Sequence, residues 1–106
     1  MSEPLQVPPA LIDRTKVDQV ILLTGPNVQG ASMQEETVLL DVSTGRYYTL
    51  NRLGSVIWEQ CTLHNTVSEI HAVLCNRFDV EPDRALDDLI ALVNDLIREG
   101  LLHQEG

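Results

Sequence analysis

Residues 39–54, LLDVSTGRYYTLNRLG, decide the fold. Apolar and β-branched side chains run up to Val42, which is the signature of a strand covered on both faces or nearly so. A Ser-Thr-Gly triplet follows, with Gly45 free to take a positive φ in a short hairpin loop, and residues 46–50 return as a second strand. Asn51 ends that strand and offers its side-chain oxygen to an otherwise orphaned backbone N–H at a helix start. The stretch holds no nucleophile motif, no His and no Gly-rich phosphate cradle, so its adjacent Tyr47 and Tyr48 raise the question of what such a hairpin is for.

Working outward, the helix opened by Asn51 buries a stripe of Leu53, Val56, Ile57 and Cys61. Thr66 with Glu69 three residues on is a capping box, and the helix it opens runs to about Phe78, burying Val67, Ile70, Leu74 and Phe78. Pro82 suits the first turn of a third helix that ends at Gly100, after which Leu101 and Leu102 turn back onto the core. Upstream, residues 17–23 have the make-up of a short strand, Thr24 to Asn27 of a turn, and residues 28–33 of a second short strand interrupted by Gly30. Residues 1–27, with Pro4, Pro8 and Pro9, read as an N-terminal arm, partly disordered or loosely docked, and residues 28–106 as the domain proper.

Placed at 100° steps, Leu86, Leu89, Ile90, Leu92, Val93, Leu96 and Ile97 of the third helix occupy an arc of roughly 160°, wider than the ~100° that one packing partner requires. Either a small sheet covers the whole arc, or the part carrying Leu86, Ile90, Val93 and Ile97 faces something else.

Composition limits the function. At 106 residues the chain is one module, with one modest core and no room for a separate substrate domain. Sixteen acidic against seven basic residues give a net charge of −9, which repels phosphate backbones and anionic membrane surfaces over a Debye length of about 8 Å. The longest apolar runs fall far short of the ~20 residues of a membrane span, and the N-terminus lacks a basic-then-apolar signal, so a cytoplasmic protein is expected. Cys61 and Cys75 are too few for a secreted disulfide framework and are read as reduced.

Cys61-x-x-His64 followed by His71-x-x-x-Cys75 has a zinc-like spacing. The same four residues are explained as core or boundary positions of two helices, and no metal or other cofactor is expected. Neither Cys sits in a strand-to-helix elbow with a His and a carboxylate, and no Ser sits in a nucleophile motif, so no catalytic residue is assigned.

A hairpin, a small three-stranded antiparallel sheet and three helices are the parts of an α+β, winged helix-turn-helix-like fold, which often binds DNA. Here the helix that would enter a groove carries Arg77 as its one fixed positive charge, and the third helix is acidic, so nucleic acid is excluded for want of counterion release. What remains is the sheet edge. Arg46, Tyr47, Tyr48, Thr49 and Leu50 lack the Lys, Pro or inward charge that usually blocks pairing with another chain. An extended peptide can add there, held by backbone bonds and seated against Tyr and the spare arc of the third helix. On the bland reading, Tyr48 and Leu50 are core and Tyr47 is an ordinary residue of the opposite face.

The run VLLDVSTGRYYTLNRLGSVIWEQC, residues 38–61, followed by TVSEIHAVLCNRF and a last helix ending LIREGLL, resembles the PqqD-like family, the recognition proteins for leaders of ribosomally made, modified peptides, and in particular the stand-alone members of lasso-peptide pathways. The resemblance spans roughly residues 28–103 and rests on Leu-Leu-Asp, Thr-Gly-x-Tyr-Tyr-x-Leu-Asn and Gly-x-x-x-Trp in order. It implies a winged-helix-like domain without enzymatic activity. The precursor's leader peptide would lie as an added antiparallel strand along residues 46–50, in a groove walled by the third helix, and be presented to a separate leader peptidase, with a cyclase acting afterwards. A Tyr and a Pro of the leader, and a Leu downstream, would meet Tyr47 or Tyr48 and Leu86, Leu89, Ile90, Val93 and Ile97. Trp58 is read as a packing residue. The competing class is an acidic winged-helix regulator or structural interaction module whose edge is closed by its own N-terminal arm.

Overall fold

A computed structural model describes residues 11–105. In chain order it contains a short 3-10 turn at Arg14–Lys16, β1 (Leu22–Thr24), β2 (Val28–Met33), β3 (Glu36–Asp41), β4 (Tyr47–Leu50), α1 (Arg52–Thr62), α2 (Val67–Arg77), α3 (Pro82–Arg98) and β5 (Leu102–Gln104). The α+β class holds: three helices pack on a three-stranded antiparallel sheet ordered β2-β3-β4, the arrangement of a winged helix-turn-helix. A second sheet, pairing β1 with β5, was not read from the sequence. Three-residue strands at opposite ends of a chain carry too little periodicity to announce each other. No helix among the described residues is long and apolar enough to cross a membrane.

Local signals set the helix ends. Asn51 Oδ1 accepts from the Gly54 N–H at 2.9 Å. The Thr66 and Glu69 side chains close the capping box from both sides, while two N–H groups of the first turn of α2 donate elsewhere, Val67 to the Val20 carbonyl and Ser68 to that of Val17. At the end of α3 the Leu101 N–H reaches the Leu96 carbonyl and the Gly100 N–H reaches that of Ile97, with Gly100 at φ +76. That pair of bonds is the Schellman closure that a left-handed glycine permits.

The core joins Ile57 and Cys61 of α1, Val67, Ile70 and Leu74 of α2, and Leu89, Val93 and Leu96 of α3 to Leu39 of β3, all fully buried. β3 departs from the doubly covered strand expected. Thr37 and Leu39 point inward, whereas Leu40 is 38% and Val42 52% exposed, so the strand alternates and the outer face of the sheet is open. Trp58 is a packing residue, 7% exposed. Gly30 admits it: a Cβ there would lie 3.2 Å from Trp58 Nε1, so the gap in the β-propensity of β2 is where the indole lies against the sheet.

The first ten residues of the expected arm lie outside the described residues. The rest of it is packed in: Ile12, Val20 and Leu22 belong to the same core cluster. The Ile12 N–H donates to Asn94 Oδ1 at 2.9 Å and Asn94 Nδ2 donates back to the Ile12 carbonyl at 3.0 Å. Arg14 reaches Asp87 at 2.7 Å and Asp83 at 3.6 Å. This segment covers the flank of α3 that carries Asp83, Asp87 and Asn94, which accounts for part of the wide apolar arc.

Candidate functional site

β4 pairs with β3 on one side, and no strand among the described residues pairs with its other edge. The register sets Leu39 opposite Tyr48 and Leu40 opposite Tyr47, and the Asp41 N–H donates to the Arg46 carbonyl at 2.9 Å. In an antiparallel ladder hydrogen-bonded and non-bonded pairs alternate, so Tyr48 and Leu50 direct their backbone groups to β3, as the Arg46 carbonyl does, while the Arg46 N–H donates to Thr44 Oγ1 at 3.2 Å. Tyr47 and Thr49 direct theirs outward. Each supplies one donor and one acceptor.

Side chains alternate in the same way. Leu50 is 2% exposed and Tyr48 half-buried on the core side, while Tyr47 is 74% exposed on the outer face. Beside the free edge runs a cleft whose opposite wall is α3. Its middle is a cavity of about 220 Å³ lined by Tyr48, Thr49, Leu50, Asn51, Gly54 and Leu92. At one end a small hollow of about 50 Å³ lies among Arg46, Tyr48, Glu99 and Leu101, and the Arg46 guanidinium reaches Glu99 at 3.3 Å. At the other end, Leu53 and Ala85 line a cavity of about 250 Å³. β4 and α3 therefore run in opposite directions along the cleft.

The hairpin turn that presents this edge is held by Asp41, whose carboxylate accepts from Ser43 Oγ at 2.6 Å and from the Ser43 N–H at 2.9 Å. Those bonds, the hydroxyl's first, hold its pKa below the ordinary carboxylate value.

The sequence-derived residues divide. Arg46, Tyr47, Tyr48, Thr49 and Leu50 form the edge and its lead-in. On α3, Leu89 and Val93 are 0% and Ile97 5% exposed, members of the core, while Leu86 and Ile90 are half-buried. The α3 side chain that lines the middle of the cleft is Leu92. It lies inside the apolar arc, but helical spacing does not say which end of the arc turns to the sheet. Glu99 carried no signal at all. The zinc-like set does not assemble: Cys61 is fully buried, its thiol pushed up to about 12 by desolvation, and His64 is exposed. Only His71 and Cys75 meet, Sγ to Nε2 at 3.5 Å, with the same Nε2 2.8 Å from the Pro82 carbonyl.

Another cavity, about 410 Å³, lies elsewhere, between the β2–β3 turn and α1, with Glu35, Glu36, Arg52 and Glu59 on its rim. No residue of β4 lines it.

The family model for Coenzyme PQQ synthesis protein D (PqqD) matches residues 36–102. Among solved structures, TbiB1 in complex with the TbiA(beta) leader peptide is similar to this chain with a TM-score of 0.74 and 27% identity, over 79% of this chain and 98% of that one. Lasso peptide synthetase B1 complexed with the leader peptide is similar with a TM-score of 0.71 and 26% identity, over 76% and 95%. No curated protein sequence matches the chain.

Proposed function

The chain belongs to the PqqD family, and we propose that it is a non-catalytic adaptor for the leader segment of a ribosomally made precursor peptide. The leader adds as an antiparallel strand to the free edge of β4, beside α3, and the adaptor delivers it to a separate leader peptidase for lasso-peptide maturation in the cytoplasm. The observation that carries this reading is the edge itself: the outward N–H and C=O groups of Tyr47 and Thr49 border a cleft into which α3 sets Leu92, in a chain similar to two structures that hold leader peptides.

Magnitudes say which part of the site does what. Four outward backbone groups at about 1 kcal/mol net each give about 4 kcal/mol, a millimolar interaction. Micromolar binding therefore requires apolar seating as well, and Tyr48, Leu50 and Leu92 line the cleft to provide it; Leu89, Val93 and Ile97 are core, and helical spacing turns Leu86 and Ile90 toward the Asn94 flank, away from β4. The ladder gives orientation and register; the wall gives affinity and choice of side chain.

Isothermal titration of the full chain with the synthetic leader of a candidate lasso-peptide precursor tests the reading. Saturable binding with a Kd below roughly tens of micromolar, about −6 kcal/mol or better, is expected, together with new strand amide signals at Tyr47 and Thr49. Absence of saturable binding would leave an acidic winged-helix module with no leader to carry.

A further inference from the structure

Beyond the Leu50 end of the cleft lies the cavity of about 250 Å³ at the start of α3, its Leu53 next in sequence to Gly54 and its Asp88 one helical turn from Leu92 of the cleft. Leu53, Val80 and Ala85 supply apolar lining, and Asp79, Glu81, Arg84 and Asp88 supply charge. Glu81 is partly committed, because its Oε2 accepts from the Arg84 N–H at 2.8 Å and caps the helix, offsetting the positive end of the α3 dipole. Among the described residues neither Asp79 nor Asp88 has a cationic side chain within ion-pair distance. Three carboxylates against one guanidinium leave this end of the cleft negative.

We propose that this cavity takes a Lys or Arg side chain of the leader, from residues immediately N-terminal to the segment that pairs with β4. The inference rests on the strand-addition reading, which also supplies the direction. A guest antiparallel to β4 begins beside Leu50 and Leu53 and finishes beside Arg46 and Glu99, so its N-terminal flank enters this cavity. A long cationic side chain matches the lining in both parts, with methylenes on Leu53, Val80 and Ala85 and its charged head at Asp79 and Asp88. A Leu there would gain nothing from the carboxylates, which are exposed to water, and an Asp or Glu would be repelled. The substrate class is thereby narrowed to leaders with a basic residue ahead of the paired segment.

The test uses the same synthetic leader with three N-terminal flanks, Lys-Lys, Ala-Ala and Glu-Glu, titrated at low salt. Against the native chain the Lys-Lys flank is expected to bind about tenfold tighter than Glu-Glu, a difference of about 1.4 kcal/mol. In Asp79→Asn/Asp88→Asn the ratio falls to within twofold; in Asp79→Lys/Asp88→Lys the order reverses. Asp18→Asn/Glu59→Gln removes the same number of charges at exposed positions elsewhere and keeps the ratio. Circular dichroism confirms that each variant is folded. A ratio that survives in Asp79→Asn/Asp88→Asn overturns the inference in favour of the general field of a chain with net charge −9. Equal, tight binding of all three flanks overturns it while leaving strand addition standing, and failure of every flank to bind removes both.

Discussion

Arg46, at the start of β4, and Glu99, at the end of α3, meet across the cleft at 3.3 Å, with side chains 73% and 40% exposed. They bridge the end at which an antiparallel guest would leave. Ion pairs this exposed contribute about 0.5 kcal/mol or less. Glu99→Gln is accordingly expected to lower Tm by under about 4 °C and to change leader affinity by less than about threefold. A loss beyond tenfold at unchanged Tm would make Glu99 a direct contact of the guest.

The alternation along β4 separates two neighbouring residues. The Thr49 N–H points away from β3, so Thr49→Pro removes a bond offered to the guest and none from the fold. Leader binding should weaken by at least about tenfold, from the lost bond and the ring standing in the guest's path, with far-UV circular dichroism unchanged. Tyr48→Pro removes a bond to β3 and should lower the urea midpoint clearly. If Tyr48→Pro were the better tolerated, the ladder would be out of register with the scheme above.

Leu92 and Val93 are adjacent on α3 but face different surroundings, half-exposed cleft and sealed core. Leu92→Asp should abolish measurable leader binding while the chain stays folded. Val93→Asp buries an unpaired charge at a site 0% exposed and should cost several kcal/mol, on the order of the whole stability of a small domain. Chemical denaturation of both variants, with titration of the first, checks the assignment. Equal destabilisation would place Leu92 in the core.

Asn94 clamps the backbone of Ile12 by two bonds. Asn94→Ala leaves a part-buried N–H and C=O without their partners and is expected to cost about 1–2 kcal/mol in urea unfolding. Leader affinity should be unaffected, because the clamp lies on the flank of α3 away from β4. A stability change near zero would mean that the arm docks through Ile12 burial alone.

How legible all this was follows from where the information sits. The hairpin, the caps at Asn51 and Thr66, the helix start at Pro82 and the stop at Gly100 depend on residues within a few positions of each other, so they appear in the sequence as spacing. Leu86 to Ile97 as an apolar arc was equally legible. Which flank of that arc borders β4 was not, since helical spacing is the same whichever side the sheet occupies, and Leu92 went unmarked for that reason. The exposure of Leu40 and Val42 was missed because an apolar run looks alike whether one face or both are covered.

The amino-acid order by itself determined the central hairpin and the three helices, the acidic character that disfavours phosphate ligands, and an edge strand without gatekeeping residues. Only the tertiary structure decided that β1 and β5 pair, that residues from Ile12 onward dock on one flank of α3, and that the other flank opposes β4 as a cleft. The division has a physical cause. Secondary structure is set by bonds and side-chain contacts a turn or less apart, whereas the cleft is made by residues more than forty positions apart, Tyr48 and Leu92, whose meeting depends on how every element between them packs.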